Sequence, residues 1–170
     1  DVTGVQTCAL PISVLGVEPA KNIATVAESR GVRTETAFFG TETATRLRRE
    51  GHAADLMCAN NVLAHVPDIN DFVEGFRILL KPGAVATFEF PHLQKLIEES
   101  QFDTIYHEHY SYLSLLALER LFSRHGLQVI DVERLPTHGG SLRVYAAHEG
   151  SRPVGERVEA LRSAEAAADR

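Results

Sequence analysis

The chain has 170 residues, a length that suits one compact domain. Its hydrophobic fraction of 44% and its charged fraction of 24% are ordinary for a globular protein. The formal net charge is -6 and no basic stripe is present, so a nucleic-acid polymer is not expected as a partner. No apolar run has the length of a membrane span, so no membrane partner is expected. Cys8 and Cys58 form no metal-ligand pattern, a free buried thiol is the simplest interpretation of Cys58, and the cytoplasm is the expected compartment.

From Val14 onwards, apolar runs that predict strands alternate with amphipathic stretches that predict helices. The predicted strands are 14–17, 32–39, 54–60, 84–90, 127–135 and 141–148, and the predicted helices are 22–29, 41–50, 68–80, 115–124 and 153–170. The strand 54–60 is mostly apolar, which predicts burial on both faces. The order predicts an α/β fold with a mostly parallel sheet, helices on both faces and an antiparallel pair of strands at one edge.

Polar or aromatic residues follow three of these strands, where ligands of open parallel sheets bind. Glu18 closes the first strand and can accept the two hydroxyls of a ribose, or it is a solvated turn charge. Phe38 and Phe39 close the second strand and can stack on a flat base, although core packing is the commoner role of such a pair. Asn60 and Asn61 close the third strand and suit a ligand with amino and carboxylate groups, or they serve turn geometry.

Residues 89–114 hold three of the eight histidines and three of the four tyrosines. The centre of this segment reads Tyr106-His107-Glu108-His109-Tyr110, five side chains that can each donate, accept or move a proton. A core strand would bury such groups without partners, so the segment is predicted to be a reactive loop between a strand and a helix. His107 and His109 have a spacing that also occurs in metal sites, but no third ligand stands at helical spacing, and no metal is expected.

Two sets of motifs carry a family resemblance. The first set consists of the residues that close the first three predicted strands, from Glu18 to Asn61, and a later helix that ends in Leu-Lys-Pro-Gly83. This pattern resembles the class I S-adenosylmethionine-dependent methyltransferases over residues 14–90. Three further motifs resemble the sugar C-methyltransferases, which act on ketodeoxysugars linked to a nucleoside diphosphate, and extend the likeness over residues 14–170. These motifs are Glu89-Phe-Pro-His92, Tyr106-His-Glu-His-Tyr-Ser-Tyr-Leu-Ser114 and Thr137-His-Gly-Gly-Ser-Leu-Arg143.

The resemblance implies that a proton is removed beside a ketone, and that the enolate then receives the methyl group of S-adenosylmethionine. His109 is then the general base, a role that typically contributes about 10²–10⁴-fold to the rate. Tyr106 hydrogen-bonds the substrate or enolate, and Glu108 orients the catalytic groups or binds the sugar. His65 belongs to the same catalytic set and, with Asn61, lines the sugar pocket.

The remaining assignments divide between cofactor and substrate. By resemblance, Glu18 binds the ribose of S-adenosylmethionine, Phe38 or Phe39 contacts its adenine, and Asn60 contacts its amino-acid end. Further substrate contacts are expected from His92, Ser141 and Arg143. Gly139 and Gly140 either form a simple hairpin turn or shape a loop that contacts the substrate or its diphosphate.

The ends of the chain depart from the family pattern. Residues 1–13 resemble translated sequencing-adapter read-through and are expected to be non-native, so the first strand and its Gly-rich cofactor loop are expected to be lacking. Residues 14–150 are then a partial methyltransferase domain, and residues 151–170 lead to an absent carboxyl-terminal domain. The family's structural zinc is expected only in a missing amino-terminal module, and this chain alone is expected to bind the cofactor weakly or not at all and to be inactive.

Two alternatives remain open. An O- or N-methyltransferase of another small molecule would share the fold without needing an enolate. A non-catalytic binding or scaffold fragment would fold in the same way and would be indifferent to loss of His109.

Overall fold

The computed structural model describes residues 12–168, which fall into two compact units, residues 12–39 and residues 40–168. In the amino-terminal unit, strands β1 (Leu15–Val17) and β2 (Arg33–Glu35) pair in parallel, and helix α1 (Lys21–Ser29) connects them. A side chain at Gly16 would place its Cβ 2.9 Å from Oγ1 of Thr34, so the close pairing of these strands favours glycine.

The second strand is shorter than predicted. The sequence predicts a strand over 32–39, but β2 ends at Glu35, where the main-chain N–H of Ala37 donates to the Glu35 carbonyl at 3.1 Å. This tight turn ends the extended ladder. Phe38 and Phe39 therefore lie in the connection after the strand and do not close it.

The larger unit contains a four-stranded sheet with the order β3-β4-β6-β5. Strand β3 is parallel to β4, whereas β6 is antiparallel to both β4 and β5, which confirms the predicted antiparallel pair. The elements of this unit are α2 (Thr41–Arg49), β3 (Ala54–Asn60), α3 (Ile69–Leu79), β4 (Leu80–Pro91), α4 (Leu93–Glu98), α5 (Leu115–Arg124), β5 (Leu127–Leu135), β6 (Ser141–His148) and α6 (Glu156–Ala168).

Aromatic packing joins two helices to the sheet. Helix α3 begins after Asp68, whose carboxylate accepts two main-chain N–H groups of the first turn at 3.1 and 3.0 Å. Its buried face carries Phe76, whose ring lies 4.6 Å from the ring of Phe88 on β4. The ring of Phe88 in turn lies 5.0 Å from that of Phe122 on α5. These three side chains are at most 3% exposed, so they form the centre of the core.

The predicted burial of the third strand is wrong. Leu56 of β3 is 60% exposed and Cys58 is an exposed free thiol, while Ala59 is buried. Within the described residues, β3 pairs with β4 alone and is the edge of its sheet. Leu56 and Cys58 are two positions apart and share one face of the strand, and this face is exposed.

Other elements also differ from expectation. The strand predicted over 84–90 is longer, since β4 begins at Leu80 and includes Lys81-Pro82-Gly83. The segment predicted as a loop contains the short helix α4. The last helix spans Glu156–Ala168. The expectation of a non-native start falls mostly on residues 1–11, which, like residues 169–170, lie outside the described residues. No helix in the described part of the chain is long and apolar enough to cross a membrane.

Candidate functional site

Polar residues from three strands meet at one edge of the larger sheet. Because β3 and β4 are parallel, Asn60 pairs with Glu89 and the carboxyl ends of both strands lie at the same edge. Strand β6 runs in the opposite direction, so its first residue, Ser141, pairs with Pro91. This edge is where open α/β sheets bind ligands.

A buried carboxylate organises this edge. Glu89 is 6% exposed, and its Oε2 accepts a hydrogen bond of 2.9 Å from the guanidinium of Arg143, which raises the pKa of Arg143. The hydroxyl of Thr137 donates to Oε1 at 3.3 Å, and the main-chain N–H of Asn61 donates to the Glu89 carbonyl at 2.8 Å. Asn61 has a φ of 55°, which fits its turn role. The predicted substrate contacts of Asn61 and Arg143 stay predictions.

The ring of His109 has a defined tautomer. Its Nδ1 lies 2.8 Å from the main-chain carbonyl of Thr104, and a carbonyl can only accept, so Nδ1 carries the proton. In the neutral ring, Nε2 then has a lone pair, and the hydroxyl of Tyr106 lies 3.2 Å from it. The loop thus presents an imidazole whose Nε2 can accept a proton.

His65 is held in the same way and lies beside His109. Its Nδ1 lies 3.0 Å from the main-chain carbonyl of Glu108, which again assigns the proton to Nδ1. The two imidazole rings lie 4.7 Å apart, centroid to centroid. The main-chain N–H groups of Tyr110 and Ser111 both donate to the carbonyl of Ala64, at 2.9 and 3.2 Å, so the loop is fastened to the turn that carries His65.

The aromatic neighbours complete what we call the histidine cluster: His65, Tyr106, His109 and Tyr112. The ring of Tyr106 lies 4.3 Å from that of His109, and Tyr112 meets the same ring edge-on at 5.7 Å. The side chain of Glu108 is 64% exposed, and its Oε1 lies 4.0 Å from Nε2 of His107. The carbonyl of Thr104 contacts the His109 ring, and the predicted role of Glu108, to orient the catalytic groups or to bind the sugar, stays a prediction.

Two predicted substrate residues are buried. His92 and Ser141 are each 2% exposed. The Nε2 of His92 lies 2.7 Å from Oε1 of Glu165, and the hydroxyl of Ser141 donates to the carbonyl of Thr137 at 3.0 Å. Both polar groups already have partners inside the protein, and their predicted contact with substrate stays a prediction.

The remaining predicted ligand-binding residues lie at strand ends or in the connection that follows a strand. In the amino-terminal unit, Oε1 of the half-buried Glu18 accepts from the main-chain N–H of Ala20 at 2.8 Å, which leaves Oε2 for a hydroxyl group. Phe38 of the same unit is 83% exposed and Phe39 is partly exposed. In the larger unit, Asn60 is exposed at the end of β3.

The sequence model of the family described as a methyltransferase domain matches residues 5–132, more than half of the chain. The chain therefore belongs to that family. It is also 42% identical, over 155 residues, to the C-methyltransferase NovU of Streptomyces niveus. The match covers 88% of this chain, and the chain spans 37% of the length of NovU.

Solved structures confirm the predicted fold. An S-adenosylmethionine-dependent methyltransferase of Thermotoga maritima superposes with a TM-score of 0.61 at 16% identity, over 79% of this chain and 72% of that one. Magnesium protoporphyrin IX methyltransferase of Synechocystis PCC 6803, with bound S-adenosylhomocysteine, gives 0.58 at 11% identity, over 80% and 64%. The chain thus has the Rossmann-like α/β fold of S-adenosylmethionine-dependent methyltransferases.

The structure adds residues that the sequence did not indicate. The carbonyls of Thr104 and Ala64 hold the histidine cluster, and no side-chain pattern signals such main-chain roles. Glu165 contacts His92 from 73 positions away, a distance that local pattern reasoning does not reach. The sequence does carry a signal for the buried carboxylate of Glu89, because a charged residue stands inside the apolar run Ala-Thr-Phe-Glu-Phe.

Proposed function

We propose that the protein is a C-methyltransferase that moves a methyl group from S-adenosylmethionine to the carbon next to the ketone of a nucleoside-diphosphate-linked deoxysugar. The observation that carries this proposal is the tautomer of His109. Its Nδ1–H is fixed by the Thr104 carbonyl at 2.8 Å, so its Nε2 is the basic nitrogen. A carbon next to a ketone must lose a proton before it is methylated, whereas a free amine needs no such step.

The residues of the histidine cluster match the steps of this reaction. Nε2 of His109 takes the proton as the C–H bond breaks, and the electron pair moves to the ketone oxygen to give an enolate. The hydroxyl of Tyr106, 3.2 Å from Nε2, is the group we propose as the donor to the substrate or to the enolate oxygen once Nε2 has taken up the proton. When bound, S-adenosylmethionine would supply an electrophilic methyl group to the enolate carbon, with its sulfur–methyl bond breaking as the carbon–methyl bond forms and S-adenosylhomocysteine as the leaving group.

Residues at strand ends, and in the connection after β2, are those we propose for cofactor binding. A carboxylate such as Glu18, with one oxygen bound to its own turn and the other available, suits a ribose hydroxyl. An aromatic ring as exposed as Phe38 suits the flat adenine, with Phe39 beside it. Asn60 is the residue proposed for the amino-acid end of the cofactor.

The substrate class rests on two supports. NovU, at 42% identity, is named a C-methyltransferase, which favours carbon as the acceptor. The motifs Tyr106-His-Glu-His109 and His138-Gly-Gly-Ser-Leu-Arg143 resemble those of sugar C-methyltransferases. We place the sugar beside the histidine cluster and Asn61, with Arg143, which is paired with Glu89, as a cation at this edge of the sheet.

The test uses the full-length gene product, expressed from the complete open reading frame at the source locus. The protein is incubated in deuterated water with nucleoside-diphosphate-linked ketodeoxysugars, first without S-adenosylmethionine and then with it. We expect deuterium to enter the carbon next to the ketone in the first incubation, followed by a new carbon–methyl bond in the second, both observed by NMR. Methylation at oxygen or nitrogen, with no deuterium exchange, would identify the alternative class of methyltransferase.

A further inference from the structure

The catalytic segment is closed at its two ends. His92 and Leu113 form a parallel β-bridge, and the main-chain N–H of Leu93 donates to the carbonyl of Leu113 at 3.0 Å. Residues 93–114, which include Tyr106 and His109, therefore leave the sheet and return to nearly the same place. The position of the histidine cluster depends on how firmly this neck is held.

A single carboxylate from the last helix spans this neck. Glu165 of α6 is 5% exposed, and its Oε1 lies 2.7 Å from Nε2 of His92, on the entering side. The same Oε1 accepts from the main-chain N–H of Leu115 at 2.7 Å, and Oε2 accepts from that of Leu116 at 2.9 Å, on the leaving side. These N–H groups belong to the first turn of α5, which has no acceptors of its own for them.

The negative charge of the buried Glu165 carboxylate is stabilised by its hydrogen-bond donors. Burial raises the pKa of Glu165, but the hydrogen bonds from His92, Leu116 and Leu115 outweigh burial, and the net shift of this pKa is downward. The start of α5 also favours a negative charge through the helix dipole. Glu165 therefore sits at the neck as an ionised acceptor with specific partners.

Much of the segment itself has little else to hold it in place. Ile97, Phe102 and Tyr110 are 67%, 77% and 62% exposed, so apolar burial contributes little to its order. Its other hydrogen bonds to the rest of the described chain include those to the Ala64 carbonyl, one of 3.0 Å between Nδ1 of His65 and the Glu108 carbonyl, and one of 2.7 Å from the side chain of Gln101 to the Gly139 carbonyl.

We propose that Glu165 and His92 form a buried clip that closes the neck of residues 93–114 and positions His109 for proton abstraction. Glu165 is a positioning residue, since it reaches His109 only through the segment. The inference rests on the proposed function of His109, and it changes the role of His92 from a substrate contact to a part of the clip. It also gives helix α6 a part in catalysis.

The test compares Glu165→Gln with Glu159→Gln in the full-length gene product. Glu159 lies on the same helix, its side chain is 61% exposed, and it contacts Arg162, so it is a matched control. Hydrogen–deuterium exchange is followed by mass spectrometry in peptides from 93–116 and from the strands 127–148. We expect Glu165→Gln to speed exchange about tenfold in 93–116 and to leave the strands unchanged, because a hydrogen bond to a buried charge is lost locally.

Kinetic measurements distinguish a positioning role of Glu165 from a general loss of protein stability. For Glu165→Gln we expect kcat for proton exchange at the substrate carbon to fall by about 10²-fold, as for a displaced catalytic group, with KM for the ketosugar little changed. His92→Asn leaves the hydrogen bonds between Glu165 and the start of α5 in place, so it should lower kcat less, again with little change in KM. This variant tests the clip if Glu165→Gln does not fold. Uniform acceleration of hydrogen exchange across all peptides, or an unchanged kcat, would overturn the clip.

Failure of the clip is distinguishable from failure of the proposed function. If His109→Asn abolishes proton exchange while Glu165→Gln does not slow it, the function stands and the clip is wrong. If His109→Asn has no effect on proton exchange, the proposed function is wrong, and with it the catalytic part of the clip.

Discussion

The imidazole rings of His65 and His109 lie 4.7 Å apart, and each is held through its Nδ1 by a main-chain carbonyl. Glu108 links them, because its carbonyl binds His65 while its main chain continues directly into His109. Both rings therefore have their Nε2 atoms as acceptors in the neutral state. A proton taken up by His109 has a second imidazole beside it, and this arrangement motivates the proposal of a general base at this edge of the sheet.

The hydroxyl of Tyr106 is predicted to assist this base. Tyr106→Phe removes the group 3.2 Å from Nε2 of His109 and should lower kcat for proton exchange at the substrate carbon by about tenfold, the value of one hydrogen bond. The control is Tyr110→Phe, because the Tyr110 side chain is 62% exposed. Exchange rates measured by NMR should fall for Tyr106→Phe alone, and equal rates for both variants would remove Tyr106 from the catalytic set.

Glu18 is predicted to bind the cofactor without contributing to the reaction at the ketosugar. Glu18→Gln removes the charge from a carboxylate with one oxygen bound to the turn at Ala20. Loss of a charge-assisted hydrogen bond should weaken S-adenosylmethionine binding by about 10–100-fold. Calorimetry on the full-length gene product measures this change, with Glu28→Gln on the exposed face of α1 as the control. Unaltered affinity in Glu18→Gln would reassign Glu18 to a solvated turn.

Phe88 is predicted to be the most sensitive position in the core. It is 0% exposed and packs between the rings of Phe76 and Phe122, so Phe88→Ala should cost about 3–5 kcal/mol in the free energy of unfolding. Urea denaturation measures this loss. The control, Phe102→Ala, removes a ring that is 77% exposed and should change stability by at most about 0.5 kcal/mol. Comparable losses in the two variants would show that the core is placed incorrectly.

The pair of Asp131 and Arg157 predicts a dependence of stability on pH. Nε of Arg157 donates to the carboxylate at 2.8 Å, and this bond holds the pKa of Asp131 below its usual range. The ionised form therefore stabilises the fold above the unfolded pKa of about 3.9, and this contribution is lost as the pH falls through the lower folded value. Arg157→Gln should reduce the urea midpoint at pH 7, and the deficit should shrink in acid. A deficit that stays constant with pH would contradict this assignment.

The sequence predicted those parts of the fold that depend on local patterns. Strands 127–135 and 141–148 were placed with their correct ends, because apolar stretches with strand-forming residues flank a Pro-to-Gly turn. Helix α3 was placed to within one residue at each end, because Asp68 caps it and its apolar residues recur at helical spacing. These signals are carried by neighbouring residues and need no knowledge of the tertiary structure.

The errors arose where distant residues decide the outcome. The exposure of Leu56 depends on what lies beside β3, and a mostly apolar sequence does not distinguish an edge strand from a central one. The sequence named His65, Tyr106 and His109, which the fold brings together, but no local pattern indicates the main-chain carbonyls that contact the two histidine rings. The contact between His92 and Glu165 joins residues 73 positions apart, so it emerges only when the chain is folded.

The role of His109 can be measured in the full-length gene product by the rate at which deuterium enters the ketosugar carbon without S-adenosylmethionine. His109→Asn is compared with His107→Asn, whose side chain is 90% exposed two positions earlier in the same loop. If His109 is the general base, His109→Asn should slow exchange by about 10²–10⁴-fold, while His107→Asn should stay close to the wild type. Wild-type exchange in His109→Asn would show that the histidine cluster does not abstract the proton.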